Sequence, residues 1–169
     1  KNILLAVILV FIAIMALLII FKIQSKKRYE VLRKTIPDFE FVTLDNWRYT
    51  QNDLPASKPV IFCFFSPGCH LCSDEAQEIR KNYTRFEGVE FLWVSDQNRD
   101  SVSVFAARNG LNDLPGTHIL LDSSGIHKTI FDVTGIPGMF IYNSRHELMR
   151  EYVGAVKTEA IEFYLKDGQ

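Results

Sequence analysis

Cys69 and Cys72 are the side chains in this chain whose type and spacing point most directly to chemistry. The apolar run Val60–Phe65 ahead of them reads as a strand, and Ser73–Arg80 behind them reads as a helix. That order places the first thiol at a helix N-terminus, where unpaired backbone N–H groups and the helix dipole favour negative charge. Thiolate is the reactive form of cysteine, and such positions lower its pKa from ~8.5 into the range ~3.5–7.5. Cys72, one helical turn on, is within reach of Cys69 and can close a small ring with it. A nucleophile beside its own resolving partner is the minimum equipment for thiol–disulfide exchange.

Other side chains around this pair have competing readings. A protonated His70 would favour the Cys69 thiolate and make the disulfide more oxidising; the alternative is a solvated loop histidine. Glu75 lies one turn below Cys72. As a partly buried carboxylate it would take the proton from Cys72 before the mixed disulfide is resolved; the alternative is a surface glutamate, as Asp74 and Glu78 are expected to be. Cys63 alternates with Ile61 and Phe65 on its strand and reads as an inert core thiol, a third redox-active cysteine being the sharper alternative. Trp47 and Trp93 read as core. His118, His127 and His146 are scattered and receive no function.

The elements that must position these groups follow from the pattern. Phe39–Leu44 and Trp47–Thr50 read as a hairpin turning at Asp45-Asn46, and Val60–Phe65, apolar on both faces, as a central strand. The helix after Cys69 is expected to run to about Phe86, with Cys72, Ala76, Ile79 and Tyr83 on one stripe. A buried strand follows at Phe91–Ser95, then a helix over Ser101–Asn109 closed by Gly110. Thr117–Leu121 reads as a short strand and Gly125–Phe131 as a helical turn or two. Gly138–Tyr142 and Leu148–Val153 form an antiparallel hairpin, and Thr158 caps a last helix to about Leu165. Strands alternating with helices and ending in a hairpin predict a mixed α/β sandwich.

The chain has 169 residues and a formal net charge of −1, which provides no basic field for nucleic acid. Three cysteines are too few for a disulfide-stapled scaffold. From Ile3 to Phe21 every residue is Ala, Val, Ile, Leu, Met or Phe, a run that spans ~28 Å as a helix against a bilayer core of ~30 Å. No Ala-x-Ala pattern follows it, so an uncleaved anchor is expected, in contact with the lipid bilayer through residues 3–21. The expected division is an anchor over residues 1–22, a basic juxtamembrane linker or helix extension over 23–36 and a domain over 37–169. Lys22, Lys26, Lys27, Arg28, Arg33 and Lys34 follow the span and only Lys1 precedes it, so the positive-inside rule on its own places the domain in the cytoplasm.

The Cys-x-x-Cys at a strand–helix junction, together with Gly135-Ile136-Pro137-Gly138-Met139-Phe140-Ile141, resembles the thioredoxin superfamily, and more narrowly the membrane-anchored TlpA/ResA-like thiol–disulfide oxidoreductases. The resemblance covers roughly Pro37–Leu165 and includes the opening Pro-Asp-Phe at Pro37–Phe39. It implies a thioredoxin-like mixed-sheet α/β sandwich with an N-terminal transmembrane helix. It further implies Cys69 as nucleophile, Cys72 as resolving thiol and Glu75 matching the family's acidic residue. A cis Ile136–Pro137 bond is implied too, packed against the cysteines and leaving the backbone groups of Ile136 for an extended substrate, with His70 beside it. The implied partners are a disulfide-bearing protein and a membrane electron donor or acceptor. The implied setting is the bacterial inner membrane with the domain facing the periplasm or exterior, against the charge count. The reducing direction and a service to cytochrome c maturation are expected on the same ground, with no cofactor and no metal.

Departures from the family pattern are Gly68, where Trp is usual, Gly138, where Thr is frequent, and Cys63, where thioredoxins bury an Asp. Both glycines are expected to strip bulk from the partner-docking surface. Peroxiredoxins share the fold and a Ser/Thr at the position of Ser66, but Phe62 stands where they have proline. Haem attachment would require His in place of Ser73, and a zinc site would require a second ligand pair. A copper-binding module, with Cys69, Cys72 and a histidine as ligands, is the alternative from another class.

Overall fold

The structure, a computed structural model, describes residues 2–167. Lys1, Gly168 and Gln169, at which the expected anchor begins and the expected domain ends, lie outside the described residues. The chain divides into two compact units, residues 1–32 and 33–169.

The first unit is one helix, α1, Asn2–Leu32. It contains neither Gly nor Pro, and its side chains from Val7 to Phe21 are apolar and exposed around the whole circumference. A helix apolar on every side has no polar face to turn to water. Val7–Leu32 contains an 18-residue stretch of mean hydropathy 2.8 and is long and apolar enough to cross a membrane by length and composition. The helix continues past the apolar run through Lys22–Leu32, taking in most of the expected juxtamembrane segment.

In the second unit the described residues form a seven-stranded sheet. Its strands are β1 (Glu40–Thr43), β2 (Arg48–Thr50), β3 (Val60–Phe64), β4 (Glu90–Ser95), β5 (Thr117–Leu121), β6 (Gly138–Tyr142) and β7 (Leu148–Val153). Their spatial order is β2-β1-β5-β4-β3-β6-β7. β3 pairs parallel with β4 and antiparallel with β6, and β4 pairs parallel with β5. The helices are α2 (His70–Lys81), α3 (Arg99–Asn109), the single turn α4 (Ile126–Thr129) and α5 (Thr158–Asp167).

β3 is buried at every residue. Ile61 and Cys63 face a core shared with Ala76, Ile79, Phe105 and Ile161 from α2, α3 and α5. Val60, Phe62 and Phe64 face the opposite core with Phe41, Phe131 and Phe140. A strand covered by two layers has no solvent side, which is why it reads as an unbroken apolar run. The first residues of this unit are also held. Arg33, 3 % exposed, donates to the carbonyl of Phe131 and pairs with Glu151 at 3.1 Å. Lys34–Ile36 bonds backbone to backbone with the β6–β7 turn and the start of β7.

Two expectations are corrected. Trp47 is not core: it is 74 % exposed, because it sits in the β1–β2 turn, beyond the last position covered by a facing layer. The helix after Cys69 stops at Lys81 instead of Phe86. Asn82 turns its side chain onto the Glu78 carbonyl, and the chain continues as a 3-10 turn over Tyr83–Phe86 that buries Phe86. Gly110 closes α3 at φ 64°, a left-handed cap that satisfies the Ala106 and Ala107 carbonyls.

Candidate active site

β3 ends in the sheet's centre and hands the chain to a tight turn, Ser66-Pro67-Gly68, in which the Cys69 N–H donates to the Ser66 carbonyl at 3.0 Å. Cys69 is the N-cap of α2: its backbone is extended, and its Sγ accepts from the Cys72 N–H at 3.2 Å. The cysteine sulfur thus occupies the place usually taken by a serine or aspartate oxygen, which is where a helix best stabilises an anion. Cys69 and Cys72 form a disulfide with their Cα atoms 5.3 Å apart. The two sulfurs differ in access, Cys69 being half-buried and Cys72 fully buried. An incoming group therefore meets Cys69 first.

Glu75 lies under Cys72 on the inner face of α2 and is 3 % exposed. Its Oε1 accepts from the Val156 N–H at 2.9 Å, while Oε2 is buried with no hydrogen-bond partner among the described residues. Burial pushes this carboxyl up to about 7, and the Val156 hydrogen bond offsets only part of that. Asp74 and Glu78 on the same helix are exposed. Cys63 is 1 % exposed, and burial, reinforced by the Glu75 charge, raises its thiol well above the ordinary range. A thiol so desolvated is unreactive at neutral pH.

His70 is 88 % exposed on its side chain, and its Nδ1 lies 2.9 Å from Asp74 Oδ2, one turn along the helix. The imidazole is engaged by Asp74 at the protein surface. The Ile136–Pro137 bond is cis, Pro137 is buried and Ile136 is partly exposed. The Pro137 carbonyl accepts from Gly154 N–H at 2.8 Å, tying this loop to the end of β7. Neither backbone polar group of Ile136 has a hydrogen-bond partner among the described residues.

The glycine departures act differently from one another. A Cβ at Gly68 would meet nothing within 4 Å, so the turn before Cys69 is open. Gly138 is buried, and a Cβ there would come within 3.1 Å of the Gly135 carbonyl and of Val133. The loop packs so closely there that a side chain would crowd it, and the buried position takes nothing from a docking surface, which corrects that expectation.

Sequence reasoning passed over His127. It is buried, with Nδ1 2.7 Å from Asp122 Oδ2 and Nε2 3.4 Å from Asp96 Oδ2. It lines a cavity of about 250 Å³ with Phe64, Ser66, Asp96 and Ile136, at the end of the sheet that carries the cysteines. The legible signal was Asp122-Ser123-Ser124-Gly125, a capping sequence whose carboxylate accepts from the N–H groups of Gly125, Ile126 and His127. The ligand set that a copper module requires is not assembled: among the described residues no three His, Cys, Asp or Glu side chains are grouped to hold a metal ion.

The fold is thioredoxin-like. The protein dsbF of MTB, solved in mixed oxidized and reduced forms, is similar at 19 % identity and TM-score 0.66, over 78 % of this chain and 95 % of that one. A secreted disulfide oxidoreductase of Mycobacterium tuberculosis, described as homologous to E. coli DsbE, is similar at 18 % identity and TM-score 0.64, over 76 % and 95 %. A thiol:disulfide interchange protein of the thioredoxin family from Chlorobium tepidum TLS is similar at 17 % identity and TM-score 0.64, over 80 % and 96 %. No curated protein matches the chain. The AhpC/TSA family model matches residues 32–151, a stretch that holds β1 through most of β7, both cysteines of the pair, Glu75 and the Pro137 loop, and this chain belongs to the AhpC/TSA family.

Proposed function

We propose that this chain is a thiol–disulfide oxidoreductase that exchanges disulfides with protein partners through Cys69 and Cys72. The observation that carries the reading is the asymmetry of the pair. One sulfur caps α2 and is reachable, while its partner is fully buried above a carboxyl raised to about 7. The printed descriptions of the similar structures, a disulfide oxidoreductase and a thiol:disulfide interchange protein, support the same chemistry.

In the reducing direction the Cys69 thiolate attacks a sulfur of the partner's disulfide, forming a mixed disulfide and releasing one partner thiolate. Cys72 then loses its proton to Glu75 and attacks Cys69, closing the ring and releasing the second partner sulfur as thiolate. Two electrons pass from the dithiol to the partner, and a membrane donor of thiol or dithiol chemistry restores the pair. Extended substrate chain lies along Ile136, whose unpaired N–H and C=O are free to hydrogen-bond it, with Pro137 buried behind it. His70 meets the partner at the rim.

The reductant role, service to cytochrome c maturation and a domain facing away from the cytoplasm follow from the resemblance to the TlpA/ResA-like proteins. α1 anchors the chain in the bilayer by its length and composition. Cys72→Ser is expected to accumulate a mixed disulfide with partners and Cys69→Ser to accumulate none, read on non-reducing gels. Equal trapping by both variants, or by neither, would overturn the exchange mechanism. An alkaline phosphatase fused after the domain is expected to be active; a stable but inactive fusion would place the domain in the cytoplasm and remove the cytochrome role.

A further inference from the structure

The end of α3 meets the cysteine loop on both of its sides. Ahead of Cys69, the Phe105 ring stacks on Phe65 with centroids 4.4 Å apart, and Arg108, lying over the Phe105 ring, donates from Nη2 to the Pro67 carbonyl at 3.4 Å. Behind Cys72, Asn109 is wholly buried, and its Oδ1 accepts from the Ser73 hydroxyl at 2.7 Å and from Gln77 Nε2 at 3.2 Å. The amide nitrogen donates to the Phe105 carbonyl at 2.9 Å, which fixes the end of the amide that faces α2. Burying an amide is unfavourable unless its hydrogen bonds are made, and here both ends make them. Such bonds are directional, so they hold α2 at one rotation and height where an apolar contact would let it slide.

Ser73 carries this grip to the sulfurs. It follows Cys72 directly, and its N–H donates to the Cys69 carbonyl at 3.2 Å. In the oxidised pair the disulfide itself keeps the first turn of α2 beside Cys69. Once the disulfide is reduced that covalent tie is gone, and the Cys72 N–H, which reaches the Cys69 sulfur at 3.2 Å, depends on the turn staying where it is. We propose that Asn109 is a positioning residue for disulfide exchange: by holding Ser73 from α3, it keeps the first turn of α2, and the Cys72 N–H with it, aimed at the Cys69 thiolate after the disulfide opens. The proposal rests on the reading of Cys69 as the attacking sulfur. A hydrogen bond to an anion is stronger than one to a neutral group, so the grip stabilises the reduced state more than the oxidised one and makes the pair more oxidising.

Full-length protein in detergent is equilibrated with reduced and oxidised glutathione. The protein disulfide takes two electrons from two glutathione thiols, giving the dithiol and one glutathione disulfide. Samples are quenched in acid, denatured and alkylated, so that the oxidised chain labels at Cys63 alone and the reduced chain at all three cysteines. Asn109→Ala and Ser73→Ala are each expected to lower the equilibrium constant for reduction about tenfold, which is ~30 mV toward more negative potential. Alkylation of Cys69 at pH 6 in the reduced, folded protein slows by about the same factor. Ser73→Thr, which keeps the hydroxyl, restores both. The double variant shifts no further than either single one, because both remove the same bond. Ser73 is only half-buried, so Ser73→Ala tests the bond even where Asn109→Ala fails to fold. A change that only loosened the fold would lower the stability of both redox states and leave their ratio where it was. Equal constants in wild type and both alanine variants, or a shift of the opposite sign, would overturn the positioning role and leave exchange through Cys69 standing. A wild-type pair that did not equilibrate with glutathione would overturn that reading as well.

Discussion

Glu75 binds its proton more tightly in the folded chain than in the unfolded one, and the sign of that difference has a consequence for stability. Its carboxyl rises from 4.5 to about 7 on folding. Between those values the folded protein keeps a proton that the unfolded chain has released, so stability falls as pH rises through that window and is level above it. The penalty reaches up to about 3 kcal/mol by pH 8. Glu75→Gln keeps an oxygen for the Val156 N–H and carries no charge. The variant should be more stable than wild type at pH 8 by up to that amount, with no difference at pH 4, as read by urea unfolding. An advantage that did not change with pH would refute the raised carboxyl. At this scale the spacing of Cys69, Cys72 and Glu75 was legible, because helix periodicity alone puts Glu75 below Cys72. What holds Glu75 was not, since Val156 lies 81 positions along the chain. The Asp96 contact of His127 was out of reach of the pattern for the same reason, since Asp96 follows the end of β4, 31 positions before His127 on α4.

Elements were legible where a period or a cap announces them. The alternation in β1 and the apolar block of β3 are examples, as is the left-handed Gly110 after α3. They were not where a single side chain redirects the backbone, as Asn82 does at the end of α2. The two tryptophans show the same limit. Trp47 and Tyr49 share a face by alternation, yet only Tyr49 has a layer above it. Trp93 is wholly buried and touches Phe65 and Phe105 across the core. Trp93→Ala should therefore cost about 3–5 kcal/mol, and Trp47→Ala should stay within about 0.5 kcal/mol, as measured by chemical denaturation. Similar losses for the two would mean that Trp47 is covered in solution.

For the molecule as a whole, composition and element order pointed to a mixed α/β sandwich, and to a long apolar helix ahead of it. The strand order was out of reach of the pattern: nothing in the sequence pairs β1 with β5, a neighbour more than 70 residues away. Nor did the pattern reveal that the second unit begins at Arg33, a cation within a basic run whose guanidinium is enclosed between Phe131, Phe140 and Glu151. A fragment starting at Arg33 should unfold cooperatively and keep the redox potential of the intact chain. Arg33→Ala in that fragment should lower stability by about 2 kcal/mol, the scale of a lost hydrogen bond to a charged group. An unchanged midpoint of unfolding would show that Arg33 is not held in solution as it is here.

That enclosed guanidinium and the paired residues behind it also decide how a mechanical load travels. Tension arriving along the chain at residue 33 is taken first by the Arg33 clamp, then by the Lys34–Ile36 backbone pairing, and reaches the sheet at its β7 margin. β3, two strands inward, leads to the cysteine pair at the start of α2 and is bypassed. A pull at that point would strain the outermost strand and leave the sulfur pair in register.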